Sequence, residues 1–416
     1  MRLRGKHFQT GQVVELTTEG SRIAQVGPAP DEQPSATTGL REGVSGRGAG
    51  MAQAPGVLGD DGYWLAPALF DSQVNGFGGR DLNAADTTPD DVRAVMRFLW
   101  EAGVARFCPT VTTDSFERMT HSLRAVRQAC EQDAQVAHAA ATVHIEGPYI
   151  SSEDGPRGAH PLEHARPPDW DEFQRFQEAA GGRIGYVTLA PELPGARALV
   201  ERLAREHIVV ALGHHAGSAE DIRTAVEAGA RHCTHLGNGA HAVLPRHPNY
   251  IWEQLAEDRL TAGIIADGHH LPPSVVKTFV RAKQLERTIL VSDAIVEAGL
   301  PPGRHLNKTK GTWREISADG RIGMADTPYL AGSGLRLHQG VANAMRFAGL
   351  SLAEAIQAAT VNPARLFGIA ETYGRLEPGL SADVLLFRWD ESTAELQVAA
   401  TVAAGEVVYG GQGSSR

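Results

Sequence analysis

Three residues of types that bind divalent metal ions follow short apolar runs. Glu146 ends the run at 141–146, His214 closely follows the run at 208–212, and His235 follows residues 232–234. One carboxylate and two imidazoles form a suitable ligand set for a divalent ion that keeps one position open for water. Such an ion lowers the pKa of its water and polarises a carbonyl group. Together the three residues predict a hydrolytic metal site, although a capping or solvent-facing role is open for each one alone.

A fourth ionisable residue, Asp293, ends the apolar run TILVSD. A carboxylate there would face the same site and could take a proton from the attacking water and return it to a leaving amine. The alternative is a structural aspartate that bonds to loop backbone.

Gln73 and Asn75 follow another apolar run, where a His-x-His pair would supply ligands for a second ion. Neutral amides are poor ligands for zinc or iron, which favour imidazole and thiolate groups. We therefore predict one tightly held metal. The alternative role for the two amides is bonding to loop backbone.

The loop after residue 235 has features of an anion site. Gly-flanked backbone around Asn238 and Gly239 could present N–H groups to an anion, and Arg246 could pair with a phosphate. His160 and His270 lie in other loops and could bond a substrate, although ordinary loop histidines are as consistent with the spacing. Four more histidines have roles that the sequence does not separate: His215, His241, His247 and His269.

The elements that must position these residues are eight short apolar runs that alternate with helical stretches. This alternation predicts an α/β fold, a parallel (β/α)8 TIM-like barrel over residues 63–370. Most runs end in a polar or ionisable residue. Such barrels carry their active sites at the carboxyl ends of the strands. A helix is predicted to begin after Ser218 and to end at Gly229.

The two ends of the chain differ from the middle. Residues 1–62 and 371–416 read as strands joined by turns, so we predict one small β-sandwich domain built from both termini. Residues 27–58 are rich in Gly, Pro, Ser and Ala, which predicts a loop insertion. After the last predicted strand, we expect a loop and then helices at 335–347 and 352–360.

Composition narrows the class of protein. The 416 residues are 42% hydrophobic and 21% charged, as in globular proteins, and the net charge of −10 argues against a nucleic-acid surface. No apolar run approaches the length of a membrane span, and the first ten residues contain no apolar core of signal-peptide length, so we expect neither segment. Three cysteines without a CxxC pair fit a reducing compartment. We expect a cytoplasmic protein with neither nucleic acid nor membrane as partner.

Several motifs occur together in order along nearly the whole chain: PALFDSQVNGFGG, PTVTT, HIEGPYI, RGAH, VTLAPE, GHHA, THLGNGAH, IIADGHH, LVSDA and GRLEPGLSADVLLF. By these motifs the chain resembles the amidohydrolase superfamily, and within it the N-acetylglucosamine-6-phosphate deacetylases. The Gln73-Val74-Asn75 triplet is similar to the branch that binds one metal. The resemblance implies hydrolysis of the N-acetyl group of N-acetylglucosamine 6-phosphate.

The resemblance also implies a role for each site residue. Glu146, His214 and His235 are implied to be the metal ligands. Asp293 is implied to be the general acid and base, and His160 to contact the acetyl carbonyl. His270 is implied to contact the sugar, and Asn238 with Gly239 to contact the phosphate. Arg246 is implied to contact the phosphate bound by the neighbouring subunit of a homodimer.

The implied cofactor is one divalent metal ion, zinc first, with iron, cobalt or manganese as alternatives. The implied partner is a small N-acetylated amino sugar phosphate. The sequence departs from the family pattern in two substrate-facing loops. The family's YNAM-like loop is replaced by Gly237–Ala240, followed by His241, and His269 is an extra histidine. Two alternatives follow: a deacylase for another N-acyl sugar or amide, and a non-catalytic relative that binds ligand.

Overall fold

The computed structural model describes residues 1–30, 56–327 and 329–410. Its centre is a parallel sheet of eight strands in which each strand pairs with the next along the chain. From first to eighth, the barrel strands are Leu69–Val74, Val104–Thr112, Val143–Glu146, Ile184–Leu189, Val209–Leu212, His232–Cys233, Thr261–Ile264 and Thr288–Leu290. A parallel bridge between Val74 and Ala294 closes the ring. The predicted (β/α)8 barrel is confirmed.

Most barrel strands are shorter than the apolar runs that predicted them, although the second, Val104–Thr112, begins two residues before its run at 106–112. The seventh and eighth end at Ile264 and Leu290, whereas the runs extend to 267 and 293. The run at 63–75 is also two strands: Trp64–Pro67 pairs with the terminal sheet, and only Leu69–Val74 enters the barrel. A buried apolar run therefore continues beyond the hydrogen-bonded ladder, because the strand ends stay covered by loops.

Eleven α-helices and two short 3-10 turns lie among the described residues. The helices are Pro89–Glu101, Phe116–Gln132, Ala134–Ala139, Trp170–Ala179, Ala196–Arg205, Ala219–Ala228, Tyr250–Ala256, Pro273–Lys283, Leu337–Ala348, Leu352–Ala358 and Val361–Leu366, and the turns are Leu162–His164 and Leu285–Arg287. No described helix is long and apolar enough to cross a membrane. The predicted cap is confirmed: Ser218 and Asp221 form a capping box.

Both ends of the chain join one sheet of eight strands beside the barrel. Its members are Arg2–His7, Val13–Glu19, Arg22–Pro28, Val57–Leu58, Trp64–Pro67, Val384–Asp390, Glu395–Ala403 and Glu406–Gly410. The buried Asp383 ties this sheet to the barrel through Arg106 at 3.2 Å and His138 at 2.8 Å. The loop insertion predicted at 27–58 is wrong at both of its ends: residues 27–28 pair with the second strand, and residues 57–58 pair with the first. Residues 31–55 lie outside the described residues.

A second small sheet follows the barrel, where a loop was predicted; that prediction is wrong. The antiparallel strands Gly303–Asn307, Thr312–Ile316, Ile322–Met324 and Leu330–Gly332 form a flap. A hydrogen bond from Thr309 Oγ1 to Asp81 Oδ2, at 2.7 Å, joins it to the two-stranded hairpin of Gly76–Phe77 and Arg80–Asp81. Short strands with exposed alternate residues carry little apolar signal, which explains the error.

Candidate metal centre

The three predicted metal ligands converge at the carboxyl end of the barrel. Glu146 Oε1 lies 3.2 Å from His214 Nε2 and 2.9 Å from His235 Nε2, and the two imidazole nitrogens are 3.1 Å apart. All three side chains are buried. These ligand-type atoms lie close enough together to hold one metal ion.

The protonation of His214 fits a metal ligand. Its Nδ1 lies 2.9 Å from the carbonyl oxygen of Pro156, which can only accept a hydrogen bond, so Nδ1 carries the proton. In the neutral ring, Nε2 then presents a lone pair to Glu146 and His235. A hydrogen bond from the far nitrogen is the usual way in which proteins fix the tautomer of a ligating histidine.

Three site residues adopt a backbone conformation that favours glycine. The φ angles are +52° at His214, +26° at His235 and +51° at Asp293. Each such residue costs about 1–3 kcal/mol and persists only where its surroundings impose it. All three lie just beyond a strand end, where the chain turns the side chain towards the barrel axis. Three of the eight described non-glycine residues with positive φ are therefore residues with predicted chemical roles.

Asp293 lies beside the metal centre in contact with Asn75. Asn75 Nδ2 donates to Asp293 Oδ1 at 2.7 Å. Burial raises the pKa of Asp293 to about 6, and the Glu146 carboxylate adds to this rise. A carboxyl group with a pKa near neutrality suits general acid and base catalysis.

Gln73 and Asn75 have roles that the sequence did not reveal. Gln73 Nε2 donates to Glu146 Oε1 at 2.8 Å, so each of the two amides holds one carboxylate of the site. Their side chains do not simply bond loop backbone. Residues two apart on a strand point to the same side, and this spacing was the available signal for a paired role.

His160 also reaches the centre. Its Nε2 is 3.3 Å from His214 Nε2 and 3.9 Å from Glu146 Oε2. Burial lowers the pKa of His160 well below the ordinary histidine value, and the nearby His214 contributes in the same direction. His160 is therefore neutral at physiological pH and can donate one hydrogen bond.

The predicted substrate residues differ in whether they contact this centre. Asn238 Nδ2 donates to the carbonyl oxygen of His235 at 3.2 Å. Gly239 packs on His214, since a Cβ at Gly239 would lie 2.7 Å from His214 Nδ1. His270 Nδ1 lies 2.6 Å from Asp267 Oδ2. Arg246 is exposed in a loop, and no contact among the described residues joins it to the metal centre.

Comparisons with known proteins agree with this geometry. Residues 64–408 match the model of the Amidohydrolase family. The chain is 36% identical over 363 residues to N-acetylglucosamine-6-phosphate deacetylase of Bos taurus, covering 84% of each chain. It is 30% identical over 325 residues to N-acetylgalactosamine-6-phosphate deacetylase of Escherichia coli O157:H7, covering 78% of this chain and 84% of the relative. A crystal structure of N-acetyl-D-glucosamine-6-phosphate deacetylase from Mycobacterium smegmatis is similar with a TM-score of 0.81 and 26% identity, over 98% of this chain and all of that chain.

Proposed function

We propose that this chain, which belongs to the amidohydrolase family, hydrolyses the N-acetyl group of N-acetylglucosamine 6-phosphate to glucosamine 6-phosphate and acetate. The observation that carries the proposal is the convergence of Glu146, His214 and His235 beside the half-buried carboxyl group of Asp293. The named activity of the Bos taurus relative supplies the substrate.

Glu146, His214 and His235 would hold one divalent ion, with zinc as the first choice and iron, cobalt or manganese as alternatives. When bound, the ion would polarise the acetyl carbonyl and acidify a water molecule. A single ion is favoured because Gln73 and Asn75 present amide N–H groups to the carboxylates, and an N–H group repels rather than binds a cation.

Asp293 would move the proton in both halves of the reaction. Asn75 occupies its Oδ1, and we assign the proton transfer to Oδ2. As the water oxygen bonds to the acetyl carbon, Asp293 accepts its proton. When the carbon–nitrogen bond breaks, Asp293 returns that proton to the amine.

The remaining residues would bind and orient the substrate. The neutral His160 would donate to the acetyl oxygen, where negative charge develops. His270 would contact the sugar, and Asn238 with Gly239 would hold the phosphate. Arg246 would reach the phosphate of the neighbouring subunit in a homodimer. Its exposure leaves it available to a partner. We also propose a cytoplasmic enzyme, which the three free buried cysteines support.

A second candidate is deacetylation of an isomeric sugar phosphate. The named activity of the Escherichia coli relative, N-acetylgalactosamine-6-phosphate deacetylase, supports it, and so does the altered loop Gly237–His241 beside the metal centre. A non-catalytic relative is disfavoured because the ligand set and Asp293 are both in place.

The test is acetate release by the purified protein before chelation, after chelation and after zinc is added back. N-acetylglucosamine 6-phosphate, its galactose isomer and unphosphorylated N-acetylglucosamine are compared. Fast release from the first compound that disappears on chelation supports the proposal. Faster release from the isomer favours the second candidate. No release from any compound by zinc-loaded protein overturns both.

A further inference from the structure

We propose that His241, Tyr250 and Glu153 form a clamp that holds two active-site loops together around the metal ligand His214, and that this clamp slows metal loss. The inference rests on the proposed metal centre and deepens it. None of the three residues lies in the ligand set, so each acts as a positioning residue.

The clamp is a chain of three hydrogen bonds whose donors and acceptors are compatible. The backbone N–H of His241 donates to Tyr250 Oη at 2.8 Å. The hydroxyl group of Tyr250 can then donate to His241 Nδ1, at 3.0 Å, which leaves the proton of the neutral ring on Nε2. That nitrogen lies 3.1 Å from Glu153 Oε2 and donates to it.

The clamp connects the loop after the third barrel strand with the loop after the sixth. Glu153 belongs to the first loop and His241 to the second. The two loops touch beside it: a Cβ at Gly155 would lie 2.9 Å from His241 Cα and 3.0 Å from the carbonyl oxygen of Ala240. Only glycine at position 155 permits this approach.

His214 lies between these same two loops. The first loop contributes the Pro156 carbonyl oxygen, 2.9 Å from His214 Nδ1, and Gly158, where a Cβ would lie 3.2 Å from His214 Cε1. The second loop contributes Gly239, where a Cβ would lie 2.7 Å from His214 Nδ1. The imidazole ring thus contacts both loops and is held in one tautomer.

The clamp keeps both loops against His214 because its contacts lie close in sequence to the residues that touch the imidazole ring. Gly155 directly precedes Pro156, and His241 is two residues beyond Gly239. Without the clamp, the loops can separate, and the Pro156 carbonyl can leave Nδ1. Loss of an outer hydrogen bond to a ligating histidine typically weakens metal binding 10–100-fold. Because the clamp acts through the loop, we expect the lower end, about 10-fold.

The experiment measures zinc release from the loaded, full-length protein into a chromogenic chelator, without substrate. Tyr250→Phe removes the hydroxyl group and both of its hydrogen bonds to His241. We expect it to release zinc about 10-fold faster than the wild type. Tyr409→Phe is the matched control: it removes the hydroxyl group of an exposed tyrosine in the terminal sheet, and its release rate should match the wild type.

A second variant keeps the proposal testable if Tyr250→Phe fails to fold. The Glu153 side chain is 61% exposed, so Glu153→Ala should fold, and we expect about 3-fold faster release because the contacts of an exposed carboxylate contribute little. Glu163→Ala is its control, an exposed glutamate in the same loop. Metal-free unfolding temperatures are measured in parallel, because a general loss of stability would lower them and a positioning role would not.

The outcomes separate the clamp from the metal centre. Faster release by the clamp variants at unchanged metal-free unfolding temperature supports the clamp. Wild-type release rates in every folded clamp variant overturn the clamp and leave the metal centre intact. A wild-type protein that retains no zinc overturns both.

Discussion

Gln73 donates a hydrogen bond from Nε2 to Oε1 of Glu146 across 2.8 Å, so a side chain of the first barrel strand orients the carboxylate that ends the third. The bond is buried. It uses a lone pair of the same oxygen that faces both proposed ligand histidines. Gln73 therefore fixes the direction in which Glu146 can bind a cation.

We expect Gln73→Leu to weaken zinc binding about 10-fold, because it removes this outer-shell donor while keeping a similar side-chain volume. Chelator competition at constant pH measures the affinity. Gln12→Leu, at an exposed position in the turn between the first two strands of the terminal sheet, serves as the control. Equal zinc affinity in the wild type and Gln73→Leu would show that Glu146 does not need the amide.

Asp293→Asn should reduce kcat by about two to four orders of magnitude, because an amide cannot accept the proton of the attacking water. The proposed metal ligands are unchanged, so zinc content should stay at the wild-type level. Steady-state acetate release and metal analysis of the same preparation check both statements. Near-normal turnover would remove Asp293 from the mechanism.

Gly239→Ala should displace His214, because the new Cβ would lie 2.7 Å from His214 Nδ1. The expected result is zinc affinity at least about 10-fold weaker, together with lost activity. Gly368→Ala controls for backbone strain: Gly368 has φ +70°, close to the +57° of Gly239, but nothing lies within 4 Å of its added Cβ. Both variants bear a strain of about 1–2 kcal/mol. If both lose zinc equally, the contact with His214 is not the cause.

The buried His232 should make folding sensitive to acid. Burial lowers the pKa of His232 from 6.5 to about 3, so below pH 6.5 the unfolded chain gains a proton that the folded protein does not. The stability that the neutral His232 contributes is present above pH 6.5 and is lost progressively as the pH falls towards 3. Between pH 7.5 and 5.0 this residue should remove about 2 kcal/mol from the free energy of unfolding.

Urea unfolding at both pH values tests this expectation in the wild type and His232→Asn. The variant has a lower free energy of unfolding at pH 7.5, because it loses the contact of His232 Nδ1 with Thr261 Oγ1 at 2.7 Å. Between pH 7.5 and 5.0, however, its free energy of unfolding should fall by less than that of the wild type. His207 is an exposed histidine, so His207→Asn should show the same difference in free energy of unfolding between the two pH values as the wild type. An unchanged loss in His232→Asn would assign the acid sensitivity to other groups.

Much of the site could be predicted from local sequence. Glu146, His214 and His235 could be placed together because the carboxyl ends of successive parallel strands meet at one rim, and apolar runs mark those strands without any tertiary information. The same argument placed Asp293 there. The flap could not be predicted in this way, because its short, half-exposed strands lack a continuous apolar pattern.

The sequence by itself determined the barrel, the rim and the residue types that the rim carries. Only the tertiary structure decided which donor meets which acceptor. Gln73 and Glu146 are 73 positions apart, Asn75 and Asp293 are 218 apart, and Tyr250 meets His241 only because a loop turns back on itself. Strand periodicity sets the side of the sheet on which a side chain lies, whereas hydrogen bonds require alignment within a few tenths of an ångström. Closure of the barrel and packing of its loops provide that alignment.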